Sequence, residues 1–275
     1  MRSYIGDILL HKQVILSKLD DLNLENSLVY VAGSLLEGFG NATSDVDIYV
    51  VCEKSYLDKQ ACKLTDSESL IRSENNLIRN VIHDGTRYDF EYWSWENFNG
   101  IIKKLNCLDF KTEGHITRLS RDEYDLLHRF KYAKPLVNEE KFHELYDSIQ
   151  FEDLGFYQVV VQSESYSGCL QDLQGASSSG DYGSAFIMVR CLIDIVVTSY
   201  LAVNGETNPS LKWMYRKLVR YQETTGDTAL LQDYLRLQTY PFTEDTIKSL
   251  IRDALKFCQN LNLKAQEALR NKQVS

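Results

Sequence analysis

Proline is scarce in this chain of 275 residues, with three in all against 14 glycines and no long run of either. That scarcity excludes collagen-like, low-complexity and extended linker classes. A continuous apolar span of the roughly 20 residues a bilayer crossing needs is also missing. The longest apolar stretch, 191–203, is interrupted by Asp194, Thr198, Ser199 and Tyr200, so no membrane segment is expected. An acidic residue, Asp7, stands where a signal peptide would build its apolar core, which makes the cytoplasm the expected compartment. Cys-x-x-Cys pairs are absent. The six cysteines (52, 62, 107, 169, 191 and 258) are scattered and read as reduced structural thiols rather than zinc ligands. The five histidines (11, 83, 115, 128 and 143) form no metal-ligand spacing and no nucleophile constellation. An excess of basic residues is lacking too: 30 Lys and Arg face 39 Asp and Glu, a formal net charge of -9. Tight, nonspecific binding to bulk nucleic acid relies on many Lys and Arg contacts to phosphate, and this balance works against it.

What is present is core material. Hydrophobic residues make up 44% of the chain, enough for one large domain or two small ones. Ile5, Ile8, Leu9, Val14, Ile15 and Leu19 recur at helical spacing, so an amphipathic helix over about 3–22 opens the chain. Apolar runs at 28–32 and 46–51 predict two strands, separated by a turn rich in Gly and Asn. Runs at 77–82 and 88–93 flank Asp84-Gly85, a strong hairpin signal, and are expected to pair antiparallel. A mixed sheet with helices on one side follows. Beyond about residue 95 the β signals fade and helical periodicity takes over at 95–106, 120–133, 138–148, 152–174, 181–203, 209–223, 227–238 and 243–270. Residues 175–180 and 204–209 read as loops, and Pro135 marks a helix end. The expected fold class is α+β, a mixed-sheet core at 1–118 followed by an all-helical bundle at 119–275.

The second strand begins inside an acidic motif, Asp45-Val46-Asp47. Two carboxylates one residue apart on a strand project from the same face, an arrangement in which they can share hard divalent cations such as Mg²⁺. Gly33-Ser34 ends the preceding strand; a glycine there lets the backbone approach a ligand closely, and the Ser34 hydroxyl can donate to a phosphate oxygen. A neighbouring strand supplies a third carboxylate from Arg87-Tyr88-Asp89-Phe90-Glu91, where either Asp89 or Glu91 is suitably placed. Solvated acids around a turn are the plainer alternative, but Asp47 lies in an apolar run where an unpaired charge is costly.

The ordered pattern of Gly-Ser, ten intervening residues, Asp-Val-Asp and then an apolar-Asp-apolar strand resembles the signature of the DNA polymerase β-like nucleotidyltransferases. The resemblance is sequence-specific over about 28–95. It implies that Asp45, Asp47 and Asp89 are the metal ligands, that Gly33 and Ser34 grip the terminal phosphates, and that Glu91 stands behind them. It further implies an Mg²⁺-dependent transfer of a nucleoside monophosphate from a nucleoside triphosphate, ATP foremost, to an oxygen of an acceptor. An acidic chain with no nucleic-acid module suits a small-molecule acceptor, an antibiotic or metabolite. A nucleotidyltransferase-like antitoxin that modifies or binds a protein or tRNA partner is the alternative, and the long helical half counts against it.

In plan, a catalytic half followed by a helical bundle resembles the kanamycin and related aminoglycoside nucleotidyltransferases. That likeness allows a homodimer and gives Glu164 the part of general base, whereas the residues alone make it a solvated helix position. Lys212, four residues before Arg216, is either a triphosphate-binding cation or a solvated-face charge. Arg190, among apolar neighbours, is expected to pair with Asp194. The spacing of Arg118 and Arg121 from His128 is too wide for the HEPN ribonuclease site, which excludes that chemistry.

Overall fold

In the computed structural model the described residues are 5–19, 21–41, 43–60, 68–72, 75–111 and 116–274, with side chains described from His11 onward. The expectations for Ser3, Tyr4, the side chains of Ile5, Ile8 and Leu9, Cys62 and His115 lie outside them. The chain divides into two compact units, Met1–Cys107 with Leu119–Gln150, and Leu108–Arg118 with Phe151–Ser275. The fold class is α+β.

The first unit is built on a six-stranded mixed sheet in the order β3-β4-β5-β2-β1-β6. Its strands are β1 (Leu28–Ala32), β2 (Val46–Cys52), β3 (Glu68–Arg72), β4 (Asn76–His83), β5 (Thr86–Ser94) and β6 (Lys134–Val137). The β4–β5 hairpin forms as the sequence predicts: Asp84 and Gly85 both take positive φ (49° and 76°), the turn whose twist matches paired strands. β2 and β5 run parallel, which places residue 47 opposite residue 89.

The sheet is covered on both faces, not one. Val29, Val31, Val46, Ile48, Val50, Phe90 and Tyr92 share a core cluster with Ile15 and Leu19 of α1 (Ile5–Ser17) and Tyr56 and Leu57 of α2 (Lys54–Gln60). On the opposite face Tyr30 meets Phe130 and Phe142, from α4 (Arg121–Lys131) and α5 (Glu139–Ser148), at ring-centroid distances of 5.0 and 6.0 Å. Phe98 of α3 (Trp95–Asn106) stacks edge-on against Phe130 at 5.4 Å. β1 and β2 read as continuous apolar runs because both their faces are buried.

Residues 119–150, placed by the sequence with the helical half, therefore belong to the sheet unit. Pro135 does not end a helix; it sits in edge strand β6, where its missing N–H costs no ladder bond inside the sheet. α4 starts at a reciprocal cap, with Ser120 Oγ accepting from Glu123 N–H and the Glu123 carboxylate accepting from Ser120 N–H. Phe130 is fully buried, with the rings of Tyr30, Phe98, Phe142 and Tyr146 around it. Phe130→Ala is expected to cost about 3–5 kcal/mol in urea denaturation; a loss below about 1 kcal/mol would refute this account of how α4 is held.

The second unit is helical: α6 (Phe151–Ser179), α7 (Tyr182–Val203), α8 (Met214–Thr225), α9 (Ala229–Gln238) and α10 (Glu244–Val274). The predicted loop at 175–180 is instead the last turn of α6. Only Gly180, at φ 79°, and Asp181, the N-cap of α7, break the helix. The span 209–223 is a single 3-10 turn, Leu211–Trp213, followed by α8. By length and composition α7 is apolar enough to cross a membrane, because it continues N-terminally through Ala185 and Val189 beyond the stretch counted in the sequence. Its Val189, Leu192, Ile193, Val196, Val197 and Leu201 are core residues of the bundle. The expected Arg190–Asp194 pair is bridged: Gln238 accepts from Arg190 Nε at 3.1 Å and donates to Asp194 at 2.7 Å, while Tyr234 donates to the same carboxylate at 2.8 Å.

Candidate metal centre

Row by row, the sheet builds a polar patch on the face that α3, α4 and α5 cover. One row across three strands is Ala32, Asp47 and Asp89, extended by Asn80 of β4; the next is Tyr30, Tyr49 and Glu91. Strand alternation puts all of these on one face. Asp45 lies just ahead of β2, and Thr43 N–H donating to Asn41 Oδ1 at 2.9 Å orders the turn that leads into it.

Three carboxylates converge. Asp45, Asp47 and Asp89 each offer an oxygen, and these atoms lie within 4.8 Å of one another. Like charges so close repel unless a cation joins them, and three hard oxygen donors are the chemistry that Mg²⁺ or Mn²⁺ takes. The residues fit a divalent cation. Burial pushes the Asp47 carboxyl up from 3.8 to about 7; Arg129 opposes this, and Asp45, Asp89 and Asp125 add to it.

Two arginines attend the cluster. Arg129 on α4 reaches Asp47 Oδ2 with Nη1 at 3.2 Å and donates from Nε to Asp125 Oδ2 at 2.8 Å, one helical turn away. Arg87 lies two residues before Asp89 on β5. It donates Nε to Asp89 Oδ1 and Nη2 to Oδ2, both at 2.7 Å, and Asn80 Nδ2 adds a third donor to Oδ1 at 2.6 Å. Between Asp89 and Glu91, the geometry separates the two acids. Glu91 accepts from Asn76 and Trp93 at 3.0 and 2.8 Å and stands in the second row; burial raises its pKa, and those two donors oppose the rise.

Gly33 explains itself here. Its φ is 84°, and a Cβ added to it would fall 1.9 Å from Asp47 Oδ2 and 2.9 Å from Arg129 Nη1. Glycine is required both by conformation and by the close approach. Ser34, buried, opens the turn that follows, and Phe39 N–H donates back to its carbonyl at 2.8 Å. Glu37 of that turn meets His128 of α4 at 3.1 Å, both side chains being buried. α4 thus contacts both halves of the patch, through His128 and Arg129.

The remaining candidates lie in the helical unit. Lys212 is exposed in the 3-10 turn, its Nζ 4.9 Å from the Trp213 ring centroid. Glu164, on α6, is mostly exposed and ion-paired with Arg118. The i,i+4 spacing of Asp125 and Arg129 on a helix is visible in the sequence, but nothing local shows that they face residue 47.

No family model matches the chain, and no curated protein matches it. Among solved structures the chain is similar to a nucleotidyltransferase-like protein from Exiguobacterium sibiricum, at 11% identity and a TM-score of 0.48, over 94% of this chain and 77% of that one.

Proposed function

We propose that this chain is a metal-dependent nucleotidyltransferase that moves a nucleoside monophosphate from a nucleoside triphosphate to a hydroxyl of a small-molecule acceptor. The observation that carries the reading is the convergence of Asp45, Asp47 and Asp89 to within 4.8 Å, beside a turn that only glycine can begin. Asp45, Asp47 and Asp89 would hold Mg²⁺, which supplies charge neutralisation on the phosphates and polarises the reacting oxygen.

In this reading the acceptor oxygen forms a bond to the α-phosphorus as the bond to the pyrophosphate leaving group breaks. The hydroxyl proton passes to Asp89. Ser34 donates to a terminal phosphate oxygen, with its turn tied to α4 by Glu37 and His128. Arg129 and Asp125 keep Asp47 in place. A net charge of -9 favours a cationic acceptor over a polyanion.

Incubation with each of the four triphosphates and Mg²⁺, against a panel of aminoglycosides and hydroxylated metabolites, tests this by mass spectrometry. The expected result is one adduct heavier by a nucleoside monophosphate, with stoichiometric pyrophosphate and strongest with ATP. Labelling of a co-purified protein or tRNA, and of no small molecule, would shift the acceptor class. Pyrophosphate release that persists unchanged in EDTA would sink the reaction class.

A further inference from the structure

We propose that Arg87 is the resident occupant of the third ligand position, so that its guanidinium and a divalent cation compete for Asp89. The inference rests on the metal-site reading above and adds a regulatory element to it. Among the described residues, Asp89 is the most heavily engaged of the three carboxylates. Oδ1 accepts from Arg87 Nε at 2.7 Å and from Asn80 Nδ2 at 2.6 Å, and Oδ2 accepts from Arg87 Nη2 at 2.7 Å. This two-pronged, charge-assisted grip holds the plane of the carboxylate and places a positive charge beside the oxygen a metal ion would take.

The two arginines differ in what they can do next. Arg129 is mostly buried, is anchored to Asp125, and touches Asp47 by one longer contact of 3.2 Å. It has a second partner and little room, so it stays. Arg87 has a side chain 55% exposed and lies against an Asp89 carboxylate only 16% exposed. Its head can turn into water, where the loss of the two-pronged pair is offset by rehydration of a guanidinium already half in solvent. Asp89, backed by Asn80 and fixed in β5 between two paired strands, stays behind with its oxygens facing Asp45 and Asp47. Metal entry and release of Arg87 are then one exchange, and the freed guanidinium stands at the edge of the site where triphosphate oxygens would lie.

Competition makes an unusual prediction: removing this arginine improves metal binding. Mn²⁺ titrated into the nucleotide-free full chain, and followed by electron paramagnetic resonance of the free ion, is the test. Arg87→Gln is expected to tighten Mn²⁺ binding about tenfold, and Arg87→Lys, which keeps the charge but not the fork, to give most of that gain. If Arg87→Lys binds as the wild type does while Arg87→Gln gains, the effect is distant charge alone and the exchange is wrong. Unchanged or weaker binding in both overturns it as well. Asp45→Asn separates the two levels of inference: if the wild type binds no Mn²⁺, or Asp45→Asn binds it equally, the metal site itself falls, and with it this proposal. Wild-type binding that Asp45→Asn abolishes, with no gain in either Arg87 variant, refutes the exchange and leaves the metal site standing.

Discussion

Asp47→Asn is expected to make the metal-free protein more stable at pH 8 while removing nucleotidyl transfer. Burial lifts the Asp47 carboxyl from 3.8 to about 7, and the charges of Asp45, Asp89 and Asp125 push the same way against Arg129. The folded state therefore holds the proton more tightly than the unfolded chain does. Stability from this group is complete below about pH 4 and is lost as pH rises through about 7. At pH 8 the ionised carboxylate costs roughly 2–4 kcal/mol, each tenfold change in proton affinity being about 1.4 kcal/mol.

Asparagine has no such charge, and Arg129 keeps Asp125 as its partner. The variant should have a higher Tm than the wild type at pH 8 in EDTA and a similar one near pH 4. Millimolar Mg²⁺ should raise the wild-type Tm and leave the variant unmoved, because a ligand stabilises only the state that binds it. Transfer should fall by about a thousandfold or more, since metal stabilisation of transition-state charge contributes several kcal/mol. A variant that is less stable than the wild type at pH 8 in EDTA would contradict the buried-charge account; one that retains full transfer would remove Asp47 from the mechanism.

The second large effect concerns a residue with no side chain. Gly33→Ala puts a methyl group 1.9 Å from Asp47 Oδ2 on a backbone at φ 84°. Gly38, in the same turn, has φ 77° and nothing within 4 Å of an added Cβ, so Gly38→Ala carries the conformational strain without the clash. About 1 kcal/mol is expected for Gly38→Ala. Gly33→Ala should lose a further 2–3 kcal/mol, in the range of overpacked sites, and should weaken Mn²⁺ binding because the Asp47 carboxylate has to move. Chemical denaturation and Mn²⁺ titration of the two variants side by side measure both. Equal losses would mean that Gly33 serves the turn and not the carboxylate.

Features of this protein that depend on neighbours in sequence were legible. The alternation of strand side chains placed Asp89 with Glu91 before any strand pairing was known, whereas Asp45, just ahead of β2, joins Asp47 from the turn and not by strand alternation. Asp84-Gly85 declared its hairpin because only a few residue pairs tolerate two positive φ angles. Gly33 was marked for close approach, though what it approaches, Asp47 and Arg129, was not visible.

Other local signals misled because packing overrode them. The run of glycine, alanine and serine at 175–179 reads as loop, yet it stays helical at the end of a helix whose Leu173 and Ala176 pack into the bundle core. Pro135 reads as a stop, but an edge strand has a place for it, and Leu136 beside it is buried against the sheet. The four-residue β6 is too short to announce itself and exists because β1 offers it an open edge.

The site divides in the same way. Sequence by itself determined which carboxylates share a face and where the chain turns, because those properties are set by dihedral angles and side-chain alternation within a few residues. Only the tertiary structure decided that residue 89 and not 91 stands opposite 47, that Arg87 and Arg129 hold the cluster, and that α4 belongs to the sheet. The reason is physical. Strand register and the burial of Phe130 are settled by contacts between segments 40 to 100 residues apart in the chain, such as Asp47 with Asp89 and Tyr30 with Phe130, and no short window contains both partners.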